Sequence, residues 1–137
     1  MGSHHSLELI SDLAQVDQLL EWFNSLCPAT VPSSDWLGLQ LALVEAFTNA
    51  VRHAHRDRPQ ETPIHIELWV SDQEVELHLW DWGQPFDLES RIRALPHKIA
   101  PDSEGGRGLK LLANIADELH YERMTDGRNR LTLRKNL

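Results

Sequence analysis

The segment 35-DWLGLQLALVEAFTNAVRHAH-55 decides how the rest of this chain is arranged. It is apolar on nearly every side, through Leu37, Leu39, Leu41, Ala42, Leu43, Val44, Ala46, Phe47, Ala50 and Val51. A helix of that kind is expected to be buried. Ser33 or Ser34 supplies an N-cap and Asp35 an acid for the first turn. Within the apolar surround, Glu45, Thr48, Asn49 and Arg52 recur at i, i+3, i+4 and i+7, so they share one stripe. A carboxylate on a buried helix needs compensation. The stripe therefore lines a wet pocket or a bound ion, or it is a solvated face with Glu45 paired to Arg52.

On the N-terminal side, Leu7, Leu9 and Ile10 suggest a short edge strand over 7–10. Ser11 or Asp12 then caps a helix over 12–26, with Leu13, Val16, Leu19, Leu20 and Phe23 on one face. Residues 1–5 (MGSHH) resemble the remnant of an expression tag and are set apart, leaving 6–137 as one domain. On the C-terminal side, Ile64, Ile66, Leu68 and Val70 alternate with His65, Glu67 and Trp69, and Val75, Leu77 and Leu79 alternate again after a turn at 71–73. These are two half-buried antiparallel strands. Residues 84–104 hold three prolines and a weak helical stretch near 88–95. Leu109, Leu112, Ile115 and Ala116 recur at helical spacing, and 121–124 and 130–134 frame a last hairpin around Asp126-Gly127. The expected fold is α+β: a two-layer sandwich, with a mixed, mostly antiparallel sheet and helices on one face.

Two further places break local rules. The alternation of the second strand ends at Asp81 on the core side, with Gly83 immediately after. A buried acceptor beside a glycine suits the exocyclic amine of a base, and a turn aspartate capping its own backbone is the alternative. Ser103-Glu104-Gly105-Gly106-Arg107-Gly108 leads straight into a helix, so its N–H groups can face an anion, with Arg107 and Lys110 adding charge. It fits neither a dinucleotide fingerprint nor a P-loop. Together the three places serve three parts of one ligand. Glu45 and Asn49 suit a metal and a nucleophile, Asp81 a base, and the glycines phosphates.

The totals narrow the setting. The formal net charge is −8 over 137 residues, so phosphates of nucleic acid are poor partners. No stretch nears the ~20 apolar residues of a membrane span, and no signal peptide is legible. The single cysteine, Cys27, excludes an internal disulfide and fits a reducing cytoplasm. The eight histidines lack zinc-type spacing and read mostly as surface residues.

These motifs resemble a known superfamily. Glu45-Ala-Phe-Thr-Asn49-Ala-Val-Arg-His53 is similar to the N box of the gyrase, histidine-kinase and MutL ATPases, which share the Bergerat ATP-binding fold. Asp81-Trp-Gly83-Gln-Pro-Phe86 resembles the first glycine box and Gly106-Arg-Gly108-Leu109 the second. Order and spacing agree over 7–135, most nearly with the anti-sigma factor serine/threonine kinases of bacteria. The resemblance implies ATP and Mg²⁺ as cofactors. Asn49 would bind Mg²⁺, Glu45 would be the general base, and Asp81 would accept from the adenine amine. Gly83, Gly106, Gly108 and Leu109 would contact the nucleotide. Gly105, Arg107 and 87–104 would form a lid. It further implies a sigma factor and a STAS-type anti-anti-sigma protein as partners, and homodimerisation. His53 fits the N box and is expected to be packed and hydrogen-bonded. Two positions depart from the pattern. Pro85 stands where the first box usually has a second glycine. Gly127-Arg128-Asn129 stands where relatives often have a Gly-Thr pair whose threonine helps hold adenine.

The expected activity is protein-serine kinase. One rival is a nonenzymatic switch in which ATP shapes a partner surface. Another is the ATP-binding part of a two-component histidine kinase, although the helix at 12–26 lacks a phosphoacceptor histidine. Trp69 and Trp80 fall on the sheet face away from the core rows, where they anchor a partner or simply cover the open sheet.

Overall fold

The computed structural model describes residues 2–83 and 106–137, with side chains for 2–83 and 110–137. Five strands form one sheet in the order β1-β2-β3-β5-β4, where β1 is Ser3–Ile10, β2 Pro63–Val70, β3 Glu74–Asp81, β4 Glu118–Arg123 and β5 Asn129–Asn136. All four pairings are antiparallel. Among the described residues three α-helices, α1 (Val16–Ser25), α2 (Ser33–Asn49) and α3 (Gly106–Ile115), accompany the sheet. Their apolar faces join the strands' inward rows in one core, which sets the α+β sandwich.

The sheet arises from period-two patterning. Ile64, Ile66, Leu68 and Val70 are buried on β2, and Val75, Leu77, Leu79 and Asp81 on β3. Leu131 and Leu133 continue the same face onto β5, in register with Leu79 and Leu77. The β2–β3 turn closes through the Ser71 hydroxyl, which accepts from Gln73 N and Glu74 N. The outer face carries Trp69, His78, Trp80 and His65 in a chain of ring contacts 4.6–5.4 Å between centroids, with Arg128 over Trp80. The two tryptophans thus lie on the face of the sheet away from the core, as the alternation placed them. The first strand is longer than the expected 7–10: it begins at Ser3, where His4 pairs with Trp69 and stacks on it.

Several helix boundaries differ from the sequence expectation. Asp12 caps, but the element it opens is a 3₁₀ turn, Leu13–Gln15, placed before α1. Neither Ser33 nor Ser34 is the N-cap of α2. Pro32 takes that place, its carbonyl accepting from Trp36 N, because an extended proline with no N–H of its own ends the loop without leaving a donor unpaired. Nor is α2 buried all round, since Leu37 is 55% and Leu41 47% exposed. The inward side is Trp36, Leu39, Ala42, Leu43, Ala46 and Phe47, where Trp36 stacks on Phe23 of α1. A single helix against a sheet buries one stripe, whatever the hydropathy of the other side.

The most consequential departure lies at the end of α2. The helix does not run on in α form to His55; residues Ala50–Ala54 form a single π turn. It closes with His55 N donating to Ala50 O at 2.8 Å. Wide turns of this kind recur at functional sites.

Candidate functional site

Glu45 and Asn49 stand one turn apart on α2, both half-buried. The Thr48 hydroxyl bonds back to Glu45 O, which keeps it on the helix. Among the described residues no ion pair joins Glu45 to Arg52, and Arg52 is exposed, so the paired-surface alternative is not what the fold adopts.

Asp81, at the end of β3, is 2% exposed. Its Oδ1 accepts from Gly83 N at 2.8 Å and from Asn129 Nδ2 at 2.9 Å. Its Oδ2 accepts from the Tyr121 hydroxyl at 2.9 Å. Burial above all, then the Asp81 charge, pushes the Tyr121 phenol far above its ordinary range, so it remains a donor. The turn-capping alternative for Asp81 is therefore realised through Gly83. A carboxylate has about four lone-pair sites, and among the described residues one acceptor position on Oδ2 is left.

Asn129 completes the cluster, and sequence reasoning did not find it as a site residue. It lies opposite Asp81 in the β3–β5 register and is fully buried. Its Nδ2 donates to both Asp81 Oδ1 and Gly83 O, each at 2.9 Å, which fixes the amide's orientation. Its Oδ1 then has no partner among the described residues. The signal that could have found it was positional: the inward row of β5, read backwards from Leu133 and Leu131, reaches residue 129.

Gly83 is held against α2's wide turn. A Cβ there would lie 2.4 Å from Ala54 O and 2.5 Å from Ala54 Cβ. Its lack of a side chain thus serves backbone contact within the protein, a role the nucleotide-approach reading did not include. Beside it, the Trp82 N–H donates to His55 Nε2 at 2.8 Å. His53, expected to be the packed histidine, is exposed; His55, 3% exposed, is packed instead. The π turn explains the exchange. The i→i+5 bond of the wide turn, from His55 N to Ala50 O, brings His55 onto the inward side of Ala50, where α-helical spacing would not.

The glycine-rich segment divides. Gly106, Arg107 and Gly108 form the first turn of α3, whose leading N–H groups lack intrahelical partners. The side chains of Arg107 and Leu109, together with Gly105, Pro85, Phe86, the 87–104 lid and the helical stretch near 88–95, lie outside the described residues. α3 packs on α2, and Leu112 enters the core. The helix that carries Glu45 and Asn49 thus packs on α3, and the wide turn that follows it meets Gly83 of the Asp81 cluster.

This geometry has known relatives. The sequence profile of the histidine kinase-like ATPase domain matches residues 9–135, and the chain belongs to that family. It is 32% identical over 89 residues to the serine-protein kinase RsbW of Bacillus licheniformis, covering 61% of this chain and 55% of that protein. It is 33% identical over 91 residues to RsbW of Listeria innocua, covering 61% and 57%. The chain thus spans little more than half the length of these relatives. Among solved structures it resembles a chain of the SiaB–SiaC complex of Pseudomonas aeruginosa, with TM-score 0.65 and 16% identity over 97% of this chain and 89% of that one. It also resembles the RsbU and RsbW domains of a Mycobacterium tuberculosis protein, with TM-score 0.62 and 18% identity over 97% and 32%. The resemblance to the anti-sigma factor kinases read from the three boxes accords with these relatives. No helix among the described residues is long and apolar enough to cross a membrane.

Proposed function

We propose that the chain is an ATP-dependent protein-serine kinase of the anti-sigma type, which binds a sigma factor and phosphorylates a STAS-type antagonist. The observation that carries this reading is the pair of open acceptors at one buried point. Among the described residues, Asp81 Oδ2 has a lone pair to spare and Asn129 Oδ1 has no donor. Buried acceptors in that state call for donor groups, and an adenine amine with its attendant water fits them.

Among the described residues no group of three or more His, Cys, Asp or Glu is placed to hold a metal. A divalent cation would rest on Asn49 and the nucleotide's own oxygens, as Mg²⁺ commonly does. Bound Mg²⁺–ATP supplies the transferable phosphoryl group and offsets its charge. For this chain's residues, the reading assigns Glu45 Oε to take the proton from the antagonist's serine hydroxyl. Asp81 and Asn129 orient the base, and the first turn of α3 directs N–H groups at phosphate. The names of the RsbW relatives support the serine-protein kinase activity.

The test is transfer of label from γ-labelled ATP to a serine of the antagonist recovered on the protein. Glu45→Ala is expected to abolish transfer while calorimetry still records ATP binding. Persistent transfer in that variant would remove the proposed base. An unlabelled antagonist that nevertheless binds in an ATP-dependent way would favour the nonenzymatic switch.

A further inference from the structure

His55 takes no part in the chemistry assigned to Glu45, Asn49 and Asp81, yet its ring joins three parts of the fold. Nε2 accepts from Trp82 N at 2.8 Å, and Nδ1 lies 3.1 Å from the Ser11 hydroxyl. An amide N–H can only donate, so Nε2 must be the unprotonated nitrogen and Nδ1–H faces Ser11. Ser11 is itself buried, and its backbone N–H donates to Gln60 O at 2.9 Å. The base of the ring is fixed by the π-turn bond from His55 N to Ala50 O. Every attachment is therefore specified by a partner.

We propose that His55 is a positioning residue for nucleotide binding: its uncharged ring sets where Asp81–Gly83 stands against the end of the helix that carries Asn49. The proposal rests on the nucleotide-binding reading above. Trp82 sits between the base acceptor Asp81 and Gly83, which touches Ala54. A shift at the Trp82 amide moves both neighbours, and with Gly83 O it disturbs the bond that holds Asn129. Protonating Nε2 turns two donors toward each other and releases the contact. The charged groups facing the ring are Asp81 on β3, which favours the cation, and Arg58 in the turn after the helix, which opposes it; from the end of β1 the facing group is the neutral Ser11 hydroxyl. Burial, with Arg58 on the same side, outweighs Asp81 and keeps the ring neutral at neutral pH.

The test uses the whole chain, with Mg²⁺–ATP as the probe. Amide and imidazole ¹⁵N spectra of the nucleotide-free protein follow Trp82 and His55 with pH. Calorimetry gives the ATP Kd of wild type and of His55→Gln, whose side-chain carbonyl can accept from Trp82 N–H but does not titrate. The expected result is that the Trp82 amide shifts with the His55 ring. As pH drops from about 7.5 to about 5.5, wild-type affinity should fall further than that of His55→Gln, and the gap approaches roughly tenfold, the worth of about one hydrogen bond, only as the ring becomes fully protonated. The comparison cancels the titration of ATP itself. At neutral pH His55→Gln should bind within about threefold of wild type, and His55→Leu roughly tenfold more weakly. A Trp82 amide indifferent to His55, or affinities that run parallel in wild type and His55→Gln, would overturn the proposal. Absence of ATP binding at every pH, with the Trp82–His55 bond visible in the spectra, would overturn the nucleotide reading and this proposal with it.

Discussion

Gly83 faces the carbonyl of Ala54 so closely that a methyl group on its α-carbon would lie 2.4 Å from the oxygen. The obstacle is backbone in a wide helical turn, which cannot move aside as a side-chain tip does. Gly83→Ala is therefore expected to cost about 2–3 kcal/mol in urea unfolding, at the upper end for one extra carbon in a packed site. Gly38, inside α2, has nothing within 4 Å of its would-be Cβ. Gly38→Ala should stabilise by about 0.5–1 kcal/mol, the helix-interior preference for alanine. Equal stabilities for wild type and Gly83→Ala would contradict the contact.

Two leucines a half-turn apart on α2 should behave quite differently. Leu39 is fully buried, whereas Leu41 is 47% exposed. Leu39→Ala is expected to cost about 3 kcal/mol through lost transfer energy and a residual cavity. Leu41→Ala should stay within about 0.5 kcal/mol of wild type. A matched loss at both positions would mean that the outer face of α2 is also covered, and denaturant midpoints at several protein concentrations would reveal this.

Stability should also fall with acid for a reason local to His55. Its folded pKa is held below the ordinary value of about 6.5. Between the ordinary value and the lowered one, the unfolded chain binds the proton and the folded chain does not. Stability is then complete above about pH 6.5 and declines as pH drops through that window. Chemical unfolding of wild type and His55→Gln across the window should give curves that diverge toward acid, with wild type losing more. Parallel curves would show that the ring is not kept neutral by the fold.

Much of this arrangement can be read from residue spacing, and the failures have physical causes. The rows Ile64-Ile66-Leu68 and Val75-Leu77-Leu79 alternate with period two, so they fixed both strands and placed Asp81 at the inward end of its row. The stripe of Glu45 and Asn49 was legible because it interrupts an apolar helix. The π turn was not legible. Nothing in Ala-Val-Arg-His-Ala differs from ordinary helix-forming sequence, and the wide turn is stabilised by tertiary partners, Gly83 against Ala54 and Trp82 on His55. Pattern reading therefore chose His53 over His55. Leu37 and Leu41 misled for the opposite reason: hydropathy records what a side chain tolerates, not which side of the helix meets the sheet. Asn129 escaped notice because its part depends on strand register with Asp81, and register is a property of two strands.

That register makes Asn129 the sharpest test of the cluster. Its amide nitrogen bridges Asp81 Oδ1 and Gly83 O, each at 2.9 Å, at a fully buried position. Asn129→Ala removes a donor from two buried acceptors and should cost about 1–3 kcal/mol. If the unpartnered Oδ1 serves the nucleotide, the same change weakens ATP binding. Asn129→Asp is nearly equal in size but should be worse at neutral pH, because it sets a second carboxyl against Asp81. Two carboxylates in hydrogen-bond contact cannot both ionise cheaply, so the introduced pair would have one folded pKa raised above its unfolded value. A raised folded pKa gives stability that is present below the unfolded pKa and disappears as pH rises through the folded one. Relative to wild type, Asn129→Asp should therefore regain stability toward acid, while the deficit of Asn129→Ala should stay nearly constant over the same range. Denaturant titrations at several pH values distinguish the two slopes. An Asn129→Asp deficit independent of pH would mean that the two side chains do not share one buried point.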